Sequence, residues 1–73
     1  MPNTKQAIPR FRVAEGSDGP WIMIEQSGGD DLSLFFEKMI GFKLHPGTTF
    51  EEAKAISNYL NSKVLAITET SAT

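Results

Sequence analysis

Cysteine is absent from the chain, which excludes disulfide staples and thiolate chemistry. The single histidine, His45, has no second imidazole with which to build an ordinary zinc site. No apolar run approaches the roughly 20 residues of a membrane span. The opening MPNTKQAIPR carries Lys5 and Arg10 without an apolar h-region, so the expected setting is the cytoplasm. Basic charge is also short: 7 Lys and Arg against 9 Asp and Glu give a formal net charge of −2 and a pI near 5.2, the wrong balance for a general nucleic-acid binder. Acids are missing from residues 1–14, which hold Lys5, Arg10 and Arg12, and bases are missing from residues 15–37, which hold six acids.

What is present is one small domain. Seventy-three residues can bury only about 60% of the surface their unfolded chain exposes. The core is therefore expected to be thin, and a second copy of the chain is the simplest remaining staple. Residues 1–7 and 71–73 read as tails and 8–70 as a single α+β domain.

Period-2 alternation in RFRVAE, with Phe11 and Val13 opposite Arg10 and Arg12, predicts a strand with a basic outer face. GSDGP predicts a hairpin turn. The returning strand WIMIEQ is apolar on both faces, Ile22 and Ile24 on one and Trp21 and Met23 on the other, so something besides a single helix must shield it. SGGDD reads as an acidic loop. Leu32, Phe35, Phe36, Met39 and Ile40 then follow helical spacing, with Asp31 as N-cap and Gly41 as C′ residue. A second short helix over about 32–40 is preferred there to a strand through Leu32, Leu34 and Phe36. Phe42 and Leu44 form a short extended piece that ends at His45-Pro46.

PGTTFEEAKAISNYLNSKVLAITET is the strongest signal. Thr48 with Glu51 three residues later reads as a capping box, opening the principal amphipathic helix at about 49–62. Ala53, Ile56, Tyr59 and Leu60 form its buried stripe, while Ser57, Asn58 and Asn61 face water. VLAITET predicts the C-terminal strand. The expected fold is a small antiparallel sheet, an N-terminal hairpin plus a C-terminal strand, packed by one principal helix.

Three sites invite chemistry. Gly29-Asp30-Asp31 resembles the short acidic turn of nucleotide polymerases and cyclases, which implies a divalent cation. A solvated turn is the preferred reading, so no metal, cofactor or catalytic residue is assigned. Pro2, if Met1 is removed, is similar to the terminal proline base of the tautomerase superfamily, and this too is set aside for want of any second matching residue. Lys43, His45, Gly47, Thr48 and Thr49, in KLHPGTT, form the better ligand candidate, an anion at the helix N-terminus. Ahead of it stands a non-enzymatic reading: protein association through Trp21, Met23, Phe35 and Phe36, large side chains that one thin helix layer cannot cover. The partner is then a second copy in a homodimer, or another protein.

Overall fold

A computed structural model describes residues 4–70 of the chain. Pro2 and the tail 71–73 therefore lie outside the described residues. A four-stranded antiparallel sheet in the order β3-β2-β1-β4 carries one helix, α1. Its spine is the hairpin of β1 (Thr4–Gly16) and β2 (Gly19–Gly29), which pair over ten positions from Ala7↔Gly29 to Gly16↔Gly19. Gly19 closes the turn at φ +116°, a backbone region that glycine enters without a steric cost. Strand β1 begins at Thr4, so residues 4–7, read from sequence as tail, are strand. They pair with β4 (Ile67–Thr70). Ser27–Gly29, read as loop, likewise belong to β2.

The register slips once. Ile8 faces Gly28 and Pro9 faces Gln26, leaving Ser27 as the extra residue of a bulge. The Ser27 hydroxyl donates to the Ile8 carbonyl at 3.2 Å. Pro9 breaks no ladder bond: Phe11, two residues on, turns its N–H to the outer edge of β1, and the proline nitrogen faces that same edge.

Paired residues share a face of the sheet, so the register sorts the strands into two sides. Val13, Ile22 and Phe42 make one row of the core face, and Phe11, Ile24 and Ile40 the next. Phe11, Ile22, Ile24 and Ala53 of α1 form the buried cluster, with Val13, Phe35, Ile40, Leu44, Leu60, Val64 and Ile67 packed around it. The core is as thin as the chain length requires. The molecule extends 45 × 24 × 19 Å with a radius of gyration of 13.7 Å, above the roughly 11 Å of a compact chain of this length, because the hairpin is a rod.

Helix α1 spans Phe50–Lys63. Its cap is displaced by one residue from the sequence expectation. Thr49, not Thr48, is the N-cap: its hydroxyl accepts from the Glu52 N–H at 3.1 Å while the Glu52 carboxylate accepts from the Thr49 N–H at 2.9 Å. Thr48 is taken by the turn before it. Its N–H and hydroxyl both donate to the His45 carbonyl, at 3.2 and 2.7 Å, closing His45-Pro46-Gly47-Thr48 with Gly47 at φ +90°, the position where a type II turn needs glycine. Thr49→Ala should therefore cost about 1 kcal/mol, and Thr48→Ala a few tenths. Urea melts of both variants decide between the two boundaries. The reciprocal bonds to Thr49 also hold the Glu52 carboxyl below its usual 4.5. Its contribution is then complete above that value and is lost as pH falls through the lowered one. Acid titration of stability should show Glu52→Gln converging on wild type there.

The buried stripe of the helix is also rotated from the expectation. Ala53 and Ser57 are buried and Leu60 and Val64 half-buried, whereas Ile56 and Tyr59 are exposed. The cause is tertiary. Strand β4 covers β1 only along Thr4–Ala7, and beyond it the edge of β1 is gripped by the helix. Phe11 donates its N–H to Asn61 Oδ1 at 2.9 Å, and its carbonyl accepts from Asn61 Nδ2 and from the Ser57 hydroxyl, both at 2.8 Å. The Asn61 amide stands where the peptide group of a further strand would be.

The 32–40 segment forms no second helix. It makes a single 3-10 turn, Ser33–Phe35, preceded by Leu32 without a side-chain cap. Asp30, just before it, is tied back to β1, its N–H donating to the Gln6 carbonyl at 2.8 Å and its carboxylate accepting the Gln6 N–H at 3.0 Å. Glu37 takes φ +54°, outside the helical region. Leu32 and Phe35 reach the core side, and Phe36 and Met39 point away. Gly41, expected to end the helix, lies within β3 (Ile40–Lys43). No described helix is long and apolar enough to cross a membrane.

Candidate interaction surface

Among the described residues no helix lies on the side of the sheet opposite α1. The register gives it three rows: Ala14, Trp21 and Lys43; Arg12, Met23 and Gly41; Arg10 and Glu25. Trp21 is half-buried although no helix covers it, because its indole lies flat across two glycines. A Cβ at Gly41 would overlap the ring, and one at Gly16 would meet Trp21 Cδ1 at 3.2 Å. Glycine at position 41 thus seats the tryptophan rather than capping a helix. Arg12 Nε pairs with Glu25 Oε1 on this face, and both side chains remain too exposed for the pair to add much stability. A shallow open groove runs from Met23 and Glu25 along the β2 edge to Phe35, Lys38 and Met39.

The four residues expected to form an interface do not all meet. Trp21 and Met23 share the open face. Phe35 is half-buried and packs against the core cluster. Phe36 is 72% exposed and borders Lys5, Asp31, Leu32, Ser33 and Lys38 at the opposite end of the molecule from Trp21. Met39, 74% exposed, joins the surface. Its spacing assigns it to a helix face, and only the short extended strand that follows shows otherwise.

The ligand candidate separates as well. Lys43 turns to the open face and lines a hollow with residues 16–21, Gly41 and Leu44. Of the remaining donors, the N–H and hydroxyl of Thr48 serve the His45 carbonyl and the N–H of Thr49 serves Glu52. Glu51 and Glu52 occupy the first turn of the helix and offset the positive potential an anion would seek. At the acidic turn, the Asp30 carboxylate is engaged by Gln6. Among the described residues no three His, Cys, Asp or Glu side chains gather as a metal-binding group.

No protein-family model, curated protein or solved structure matches the chain.

Proposed function

We propose that this chain is a non-enzymatic protein-association module and that it associates with itself. The observation that supports the reading is the open sheet face. It presents Trp21, Met23, Arg10 and Arg12, with Met39 at its margin, and tryptophan, methionine and arginine are the residue types enriched at protein interfaces. A thin core adds to the argument. Among the described residues nine large apolar side chains remain substantially exposed, among them Leu34, Phe36, Met39 and Phe42, surface that a partner could cover.

Static light scattering at high micromolar concentration tests the proposal. The expected mass is twice the 8.0 kDa of one chain, and a mass of one chain refutes self-association. Met23→Lys should return the protein to monomer with its circular dichroism intact, because the apolar contact of Met23 is lost and an ammonium group must be desolvated there, at a cost of several kcal/mol. Loss of the folded signal at the same concentration would instead assign Met23 to the monomer's own core.

Anion binding at the helix N-terminus is the second reading. Lys43, His45, Gly47, Thr48 and Thr49 are its residues. Shifts of the Gly47–Thr49 amides on adding inorganic phosphate would favour it.

A further inference from the structure

An antiparallel strand points both backbone groups of a residue to one side and changes side with each residue. Phe11 turns its N–H and carbonyl outward to Asn61 and Ser57, so Ile24, opposite it, turns toward β3. Ile22 does the same, and its carbonyl oxygen lies 2.5 Å from where a Cβ on Gly41 would stand. Ile40 and Phe42 answer these two across the ladder. Gly41 and Lys43 are left with N–H and carbonyl groups aimed out of the sheet, and no described strand lies beyond β3.

The other edges differ. That of β1 is held by Asn61 and Ser57, and the far end of β2 is folded over by Gln26, whose side-chain amide donates to the carbonyls of Gly28 and Asp30 at 3.3 and 2.5 Å. Strand β4 follows Ile67 with Thr68, Glu69 and Thr70 only. On β3 the free backbone groups come with apolar surface. Phe42 is 47% exposed on the core side of the sheet, because α1 rests mainly on β1 and β2.

We infer that β3 of one copy pairs antiparallel with β3 of a second about a two-fold axis at Phe42, joining two four-stranded sheets into one. This rests on the self-association reading and names the edge through which it occurs. Each Gly41 then faces Lys43 of the other copy, so both donors and both acceptors left free on each chain find partners. Phe42 meets its own counterpart between these bonded pairs, where side chains come closest, and each is already stacked on its own Phe11 with ring centroids 6.3 Å apart. A lysine on an edge strand ordinarily repels a further strand. Here Lys43 lands opposite a glycine, and its stem and charge run beside the Trp21 indole that roofs that glycine. Pairing β3 with β4 would instead be heterologous and leave a free edge for another copy, whereas the β3 pairing closes.

Amide hydrogen exchange read residue by residue tests it on the wild-type chain. Under dilution to monomer, Ile40 and Phe42 should exchange slowly and Gly41 and Lys43 fast. At the concentration where the scattering mass doubles, Gly41 and Lys43 should slow at least tenfold. Lys43→Pro supplies a second arm, since it removes an N–H that no bond within the chain uses. With its circular dichroism intact it should have the mass of one chain, while Lys43→Ala, which keeps the N–H, stays dimeric; if the proline variant fails to fold, the exchange result decides alone.

A monomeric wild type overturns both this inference and the self-association beneath it. A wild-type dimer in which Gly41 and Lys43 still exchange fast, or that survives Lys43→Pro, or that is lost as fully in Lys43→Ala, overturns the edge pairing and leaves self-association standing.

Discussion

Replacing Asn61 by leucine should destabilise the domain by about 1–3 kcal/mol, the cost of leaving one partly buried backbone N–H without a partner. Leucine has the branched outline of asparagine and is larger, so a loss cannot come from a cavity. It comes from Phe11, whose N–H is held by Asn61 Oδ1 alone among the described contacts. The Phe11 carbonyl is better insured, accepting from both Asn61 Nδ2 and the Ser57 hydroxyl. Ser57→Ala alone should therefore cost less, and the double variant more than the sum of the singles, because only then does the carbonyl lose its last donor. Asn58→Leu, on the solvent side of the helix, is the control. Urea melts of the four proteins measure the coupling, and amide exchange at Phe11 reads the bond itself. A cost for Asn61→Leu no larger than that of Asn58→Leu would show that the helix does not hold this edge. Unpaired strand edges also recruit other strands, so Asn61→Leu should aggregate more readily on heating than Asn58→Leu.

Gly29→Ala should cost about 3 kcal/mol. Gly29 sits at φ +85°, where a side chain costs roughly 1–2 kcal/mol, and an added Cβ would stand 2.6 Å from the Gln6 carbonyl oxygen and 3.0 Å from the Ala7 Cα. Both neighbours are backbone, fixed by the pairing of Ala7 with Gly29 and with Ile67, so the overlap is relieved only by shifting strands, at about 1–3 kcal/mol for an overpacked site. Gly28→Ala is the matched control. Its Cβ would meet only Ile8 Cδ1, at an ordinary 3.6 Å, and φ there is not positive, so the expected cost is under about 1 kcal/mol. Equal losses at the two positions would mean that the close approach of β2 to Gln6 does not constrain the fold. The substitution should also weaken the latch between Asp30 and Gln6, which follows directly from where Gly29 aims the chain.

Local structure that a single stretch of chain dictates was legible in the residues alone. Alternation in RFRVAE and the glycines of GSDGP sufficed for the hairpin. The capped amphipathic run after Pro46 sufficed for the helix, and the β-branched residues near the C-terminus for the last strand. Each signal is a period or a turn whose physics lies within a few residues, and together they yielded the α+β class. The one-residue error at the cap has a local cause too. Thr48-Thr49 and Glu51-Glu52 offer two capping boxes in adjacent registers, and the choice fell to the His45 carbonyl, which claims Thr48. What the tertiary structure alone decided was every pairing between distant residues. Ser57 and Asn61 look solvent-facing by polarity, yet Ser57 is buried and the Asn61 amide is turned to Phe11 because β4 is too short to cover β1 there. The 32–40 run has helical spacing, yet it is pulled apart because Asp30 is tied to Gln6 while Ile40 must pair with Ile24. Trp21 finds its seat on Gly41, and the basic residues of β1 come to flank it, only when three strands are set side by side. A local period reports which face of an element is apolar, but register and strand length fix which neighbour that face meets, and those are settled by contacts between residues far apart in the chain.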